Sequence, residues 1–98
     1  MNINKVKTYL GFAIKSNKIL FGYDNIITYK KNQKLILVSS SVNEKVSTKI
    51  NSFAERKNIS IINLTDITVE ELIGRENSKI ISVLDENLSD AIIKELEC

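Results

Sequence analysis

The chain has no proline, no histidine, no tryptophan and one cysteine, Cys98, among its 98 residues. A lone cysteine cannot form an intrachain disulfide, and the lack of histidine excludes the usual Cys/His zinc site. No apolar run reaches the roughly 20 residues of a membrane span, and the N-terminus shows no signal-peptide pattern. We therefore expect a cytoplasmic protein with no metal, no cofactor and no membrane contact.

The composition is that of a folded domain, with 43% hydrophobic and 27% charged residues. This length suits one core, so we predict a single domain over residues 1–98. The net charge of +2 hides an uneven distribution, because residues 1–34 hold seven lysines and one acid, whereas residues 58–98 hold three basic and nine acidic residues. A basic N-terminal third indicates an anionic partner or a solvated surface.

Helix and strand patterns alternate along the chain. The apolar spacing of Val6, Leu10 and Ala13 predicts a first helix over residues 4–16. Strand-like apolar segments follow at Ile19–Phe21, Leu35–Val38, 59–64 and 80–84, with helical patterns after each of them. The order α-β-α-β-α-β-α-β-α predicts a three-layer α/β/α sandwich with a central four-stranded mixed sheet.

Several residues are typical of helix ends. The segments Ser41-Val42-Asn43-Glu44 and Thr68-Val69-Glu70-Glu71 fit the capping-box pattern, so we predict that they start the third and the fourth helix. Gly74 is expected to end the fourth helix in the left-handed conformation. Lys30 and Lys31 are expected to close the second helix, as cations near the negative end of its dipole.

A strand runs directly into Gly22 and a polar helix start, where Asp24 is the one acid among the N-terminal lysines. Glycine allows positive φ and close approach of a ligand, and free amides at a helix start attract phosphate. This corner is either a plain strand-to-helix turn or a binding site for a phosphate or a base edge. Tyr23 either stacks on a base or packs in the core, and its position on the apolar stripe favours packing.

Catalytic patterns are scarce, so we predict that the protein is not an enzyme. Neither common nucleotide-binding glycine motif is present. The serines at positions 39–41 have no histidine to activate a nucleophile, and we interpret them as a strand end and a helix cap. Glu70, Glu71 and Glu76 have no evident partner for acid–base chemistry.

Residues 18–28, 35–42 and 73–85 together resemble the kink-turn-binding ribosomal protein family of the L-seven-Ae type. The segments Tyr9-Leu10-Gly11-Phe12-Ala13 and Gly74-Arg75-Glu76 resemble its bacterial YlxQ-like branch. The resemblance spans nearly the whole chain and implies the same three-layer sandwich. It also implies a ribosomal protein-like, cytoplasmic component that binds structured RNA with three loops, after strand one, strand two and the short fourth helix.

The family motif Gly-x-Asn-Glu-x-x-Lys falls on residues 22–28, where the glycine is kept, Asp24 and Asn25 stand in exchanged order and Thr28 replaces the lysine. Lys31 is a candidate replacement for that lysine, and Lys18 a candidate phosphate contact. The RNA-binding residues predicted in this way are Lys18, Gly22, Tyr23, Asp24, Asn25, Thr28, Lys31, Ser41, Arg75, Glu76 and Asn77.

These residues predict non-catalytic binding of structured RNA, kink-turn-like or ribosomal, in a ribosome or other ribonucleoprotein, with no DNA partner. Lys30 and Lys34 are expected to add phosphate contacts. The alternative is a protein-interaction or regulatory module on the same fold, in which the RNA motif has decayed. The exchanged residues and the missing lysine favour that alternative, and the basic N-terminal third favours RNA.

Overall fold

The two strands at the centre of the sheet, Leu35–Val38 and Ile80–Val83, are buried over their full lengths in a computed structural model of the chain. The structure describes residues 2–97, which form five helices and four strands. Their order is α1 (Ile3–Lys15), β1 (Ile19–Phe21), α2 (Tyr23–Thr28), β2 (Leu35–Val38), α3 (Glu44–Lys57), β3 (Ser60–Asn63), α4 (Val69–Ile73), β4 (Ile80–Val83) and α5 (Glu86–Glu97).

The sheet is mixed, with the strand order β1-β4-β2-β3. β4 is antiparallel to both of its neighbours, β1 and β2, whereas β2 and β3 are parallel. Helices cover both faces of this sheet, so the predicted three-layer α/β/α sandwich with a four-stranded mixed sheet is confirmed.

Successive residues of β2 point to opposite faces and enter two separate cores. Leu35 and Leu37 belong to the core beneath α1, α4 and α5, together with Val6, Leu10 and Ile92. Ile36 and Val38 belong to the core beneath α2 and α3, a set that also holds Ile26, Ile50, Phe53, Ala54 and Ile80. Because both faces are covered, the strand is an apolar run without alternation, as predicted.

Two of the predicted helix ends differ from those in the structure. α3 begins after Asn43, whose side-chain oxygen accepts a hydrogen bond from the Val46 N–H at 2.9 Å, so the capping box predicted at Ser41 is wrong. α2 ends at Thr28, and Lys30 and Lys31 therefore lie beyond it. At α3 the sequence contained two residues with suitable capping chemistry, Ser41 and Asn43, and the path of the chain selected Asn43.

The predicted ends of α4 are confirmed. The Thr68 hydroxyl accepts a hydrogen bond from the Glu71 N–H at 3.1 Å. Gly74 ends the helix with φ 70° and ψ 25°, in the left-handed region. This short helix therefore leads directly into the polar loop before β4.

Candidate nucleic-acid interface

The two ends of the sheet carry different loops. β1, β2 and β3 end where β4 begins, because β4 runs in the opposite direction. We call this the Gly22 end, which consists of residues 22–25, 39–41 and 74–79. The opposite end consists of residues 15–18, 29–34, 56–59 and 84–86, and we call it the lysine end.

Gly22 has a backbone conformation that other residues rarely adopt, with φ 88° and ψ 155°. This combination belongs to a region of the Ramachandran map that is essentially reserved for glycine. The Gly22 N–H donates to the Ile80 carbonyl oxygen at 2.9 Å, which ties the corner to the start of β4. A Cβ atom at Gly22 would meet nothing within 4 Å. The corner is therefore open to solvent, and glycine is needed there for its backbone angles.

Arg75 joins the third loop to the end of β1. Its guanidinium carbon lies 4.3 Å from the centre of the Phe21 ring, which immediately precedes Gly22. Such a cation–π contact holds a side chain in place while leaving the guanidinium able to donate hydrogen bonds. Asn77 adopts positive φ, 64°, and Glu76 and Asn77 are both exposed. The structure thus brings Arg75 to the residue before Gly22, with Glu76 and Asn77 exposed on the same loop.

Two polar side chains of α2, Asn25 and Thr28, donate hydrogen bonds to backbone carbonyl groups four residues earlier. The Asn25 amide nitrogen donates to the Phe21 carbonyl oxygen at 2.8 Å, and the Thr28 hydroxyl donates to the Asp24 carbonyl oxygen at 2.7 Å. The Asp24 carboxylate and the Asn25 amide oxygen remain as acceptors on exposed side chains. Tyr23 is half-buried and packs against the core beneath α2 and α3. Asp24 and Asn25 can therefore accept hydrogen bonds from base N–H groups.

A hydrogen-bond network around Glu70, which was not predicted from the sequence, connects the second loop to α4. The buried Ser39 hydroxyl accepts from the Val69 N–H at 3.0 Å and donates to the Glu70 carboxylate at 3.0 Å. The Ser41 hydroxyl lies 3.0 Å from that of Ser39 and 3.4 Å from the same carboxylate. Ser39 therefore supports the start of α4. Because Ser39 and Glu70 are 31 positions apart, no local pattern links them.

Lys18 and Lys31 do not join the Gly22 corner. The Lys18 carbonyl oxygen accepts from the Leu84 N–H, at the far end of β1 and β4. Lys31 lies in the connection to β2, where it lines a cavity with Lys57 and Ile59. Four strand residues separate the two ends, about 13 Å of backbone. Thr28 lies one helical turn beyond Asp24, at the last residue of α2, and belongs to neither end of the sheet.

The two ends of the sheet also differ in charge. The Gly22 end holds two cations and two acids, which are Arg75, Lys79, Asp24 and Glu76. The lysine end holds two acids, Asp85 and Glu86, and seven cations, which are Lys15, Lys18, Lys30, Lys31, Lys34, Arg56 and Lys57. The groups expected to read bases and most of the groups expected to hold phosphates therefore lie on opposite ends of the sheet.

Between residues 2 and 97, no group of three or more cysteine or carboxylate side chains is placed to hold a metal ion. Over the same residues, no helix combines the length and the apolar character needed to cross a membrane.

Comparison with known proteins supports the fold and assigns no family. No protein family matches the chain, and no curated protein matches it. A solved structure of a protein with unknown function from Bacillus halodurans C is similar, with a TM-score of 0.85 and 18% sequence identity. The match covers 96% of this chain and 98% of that chain. At this identity the likeness shows that the two chains share a fold over their full lengths.

Proposed function

We propose that the protein binds structured RNA, without catalysis, through the three loops of the Gly22 end. The observation that carries this proposal is the convergence of those loops around an open glycine corner. The Gly22 N–H bonds to Ile80, and the Ser39 N–H bonds to the Lys79 carbonyl oxygen at 2.8 Å, so the first and second loops are both tied to the third. Loops fixed in this way present a preorganised surface, which lowers the entropy lost on binding.

The chemistry of the corner suits RNA bases and backbone. Asp24 and Asn25 offer acceptors to base N–H groups, while Arg75 and Asn77 offer donors to phosphates, base edges or 2′-hydroxyls. The open space above Gly22 admits an RNA backbone at close range. The resemblance to the kink-turn-binding family assigns RNA contacts to these same three loops, and so supports the same surface.

The alternative function, a protein-interaction module, has its own support in the charge of the Gly22 end. Two cations against two acids make a nearly neutral surface, and such a surface attracts a polyanion weakly. The two functions predict different results when the kink-turn family's RNA motif is restored at Gly22. RNA binding predicts a higher affinity for a kink-turn RNA, and the protein-interaction module predicts no gain in that affinity.

The test is the triple variant Asp24→Asn, Asn25→Glu and Thr28→Lys, titrated against a labelled kink-turn RNA. Restoring the motif adds a cation and realigns two polar contacts, so we expect binding to strengthen by roughly tenfold to a hundredfold, about 1–3 kcal/mol. The variant also loses the bond from Asn25 to the Phe21 carbonyl, and its folding is checked first by circular dichroism.

The matched control is Ser52→Lys, which makes the same change in net charge at an exposed site on α3. It should leave kink-turn affinity within about twofold of the native value, since one distant surface charge contributes little. A folded triple variant that binds no better than Ser52→Lys would contradict RNA binding at this corner and favour the protein-interaction module.

A further inference from the structure

The lysine end collects cations from three separate segments of the chain. Residues 15–18 begin at the last residue of α1, residues 29–34 join α2 to β2, and residues 56–59 begin with the last two residues of α3. Within residues 2–97, the ion pair of the structure joins Lys5 to Glu95 at 3.8 Å, so none of the lysine-end cations lies within 4.0 Å of a described carboxylate. Cations that have no counter-charge in the fold are available to an anionic partner.

The segment that carries Lys30, Lys31 and Lys34 is held to the sheet by a buried side chain. Gln33 is 8% exposed, and its amide nitrogen donates to the Ile26 carbonyl oxygen at 2.8 Å. Its amide oxygen accepts from the Ser82 hydroxyl at 2.6 Å, in the fully buried centre of β4. The backbone that carries the lysines is therefore fixed from within the core, so its charges are concentrated at one place.

Two neighbouring cavities at this end are lined by different sets of charged residues. A cavity of about 170 Å³ lies on the α3 side, where Lys30, Lys31 and Lys57 line it together with Tyr29 and Asn32. A second cavity, of about 330 Å³, lies on the α5 side, where Lys34 and Lys57 line it together with Glu86 and Asp90. Carboxylates repel phosphates, so the first cavity, which is lined by cations without a carboxylate, favours an anionic chain more than the second, which has mixed charge.

We infer that the α3 side of the lysine end binds the phosphate backbone of RNA, with Lys30, Lys31 and Lys57 around one cavity. The inference rests on the proposed function for the identity of the polyanion, and it adds a second contact surface, on the opposite end of the sheet from Gly22. A membrane surface fits less well, because surface-bound proteins insert apolar side chains. Among residues 2–97 the exposed large hydrophobic residue is Phe12, on α1 rather than in this segment.

The test compares two triple variants of equal charge. Lys30→Ala, Lys31→Ala and Lys57→Ala remove the cavity lysines, whereas Lys45→Ala, Lys49→Ala and Lys94→Ala remove three exposed lysines from α3 and α5 outside the lysine end. Both are titrated over a range of salt concentrations against a labelled RNA hairpin of about 20 base pairs that contains no kink-turn. Circular dichroism confirms that each variant is folded.

We expect the cavity variant to bind about tenfold more weakly or worse at low salt, and the negative slope of log affinity against log salt to decrease in magnitude by about two to three. The control variant should stay within about twofold, and replacing the three cavity lysines by arginine should restore binding. An equal loss in both variants would mean that only net charge matters and would overturn the inference. Unchanged binding in the cavity variant would overturn it as well.

A vesicle experiment separates RNA from a lipid surface. If the native chain sediments with phosphatidylserine vesicles and the cavity variant does not, while both bind the hairpin equally, the ligand is a membrane and the inference is wrong. The kink-turn titration of the Gly22 corner is independent of these measurements. If the restored triple variant gains no kink-turn affinity but the hairpin result is as expected, RNA binding at the Gly22 end is contradicted and RNA binding at the lysine end is retained. If the native chain binds neither RNA, both proposals are contradicted.

Discussion

The Gly22 end and the lysine end of this sheet differ in how their loops are held and in what they present. At the Gly22 end, backbone hydrogen bonds and the contact of Arg75 with Phe21 tie together loops of mixed charge. At the lysine end, one buried side chain, Gln33, anchors a segment rich in cations. The first arrangement suits selective hydrogen bonding, and the second suits attraction without selectivity.

This comparison changes the expected geometry of an RNA complex. A single corner that both attracts phosphates and reads bases would need its lysines beside Gly22. Lys18 instead lies about 13 Å away along β1, and Lys31 lies in the connection to β2 at the lysine end. An RNA that uses both ends would have to reach along one side of the molecule, past α2. Variants at Gln33, Gly22 and Arg75 test whether the two ends of the sheet differ in this way.

The largest expected effect on stability comes from replacing Gln33, which holds residues 29–34 to the sheet. Gln33→Ala leaves the Ser82 hydroxyl and the Ile26 carbonyl without their present partner, and Ser82 is fully buried. We expect the free energy of unfolding, measured by urea denaturation, to fall by about 2–4 kcal/mol. Amide hydrogen exchange should increase in residues 29–34 and remain unchanged in residues 74–79.

Ser82→Ala serves as the control for Gln33→Ala, since it removes one of the two hydrogen bonds and leaves the other in place. It should cost about 1–3 kcal/mol, less than Gln33→Ala, because only the buried Gln33 amide oxygen loses its partner and the bond to the Ile26 carbonyl remains. Equal exchange at both ends in Gln33→Ala would show that the two ends are not held separately.

An intermediate effect is expected at Gly22. Gly22→Ala introduces no clash, so its whole effect should come from backbone angles that alanine disfavours, at about 1–3 kcal/mol of unfolding free energy. Gly74→Asn is the matched control, because asparagine tolerates the left-handed conformation found there and should cost less than about 1 kcal/mol. If thermal denaturation shows the two variants to be equally stable, the Gly22 corner is not strained in the way its angles imply.

The smallest expected effect is at Arg75. Arg75→Ala removes an exposed cation–π contact, so we expect a stability loss of about 0.5–1 kcal/mol. Arg75→Lys keeps the charge and removes the planar guanidinium. If Arg75 contributes to RNA binding through its fork of donors, the lysine variant should lose kink-turn affinity nearly as much as alanine. If Arg75→Lys keeps the full kink-turn affinity, Arg75 contributes to RNA binding through its charge alone.

Much of the fold could be predicted because its signals are local. The apolar run Leu35–Val38 and the helical spacing of Val6, Leu10 and Ala13 each report burial over a few neighbouring residues. Thr68 and Gly74 carry end signals within one helical turn, and both were predicted correctly. The cap of α3 was not, since Ser41 and Asn43 have equivalent chemistry and only the chain path decides between them.

The candidate site was predictable only in part. Gly22 and the loop at Arg75 were identified by sequence, and the structure places them together. The network of Ser39, Ser41 and Glu70 was missed because it joins a strand end to a helix start far along the chain. Lys18 and Lys31 were assigned to the corner because they are near Gly22 in sequence, and the strand and helix between them carry them away.

The sequence by itself determined the class of fold, the positions of nine segments and the excess of lysine in the first third of the chain, because composition and periodicity are properties of short stretches. The tertiary structure alone decided which segments share an end of the sheet. That depends on strand direction, and the antiparallel pairing of β4 with both neighbours is a long-range property that no window of sequence contains. For this reason the basic residues and the glycine corner, close together in the sequence, lie on opposite ends of the folded protein.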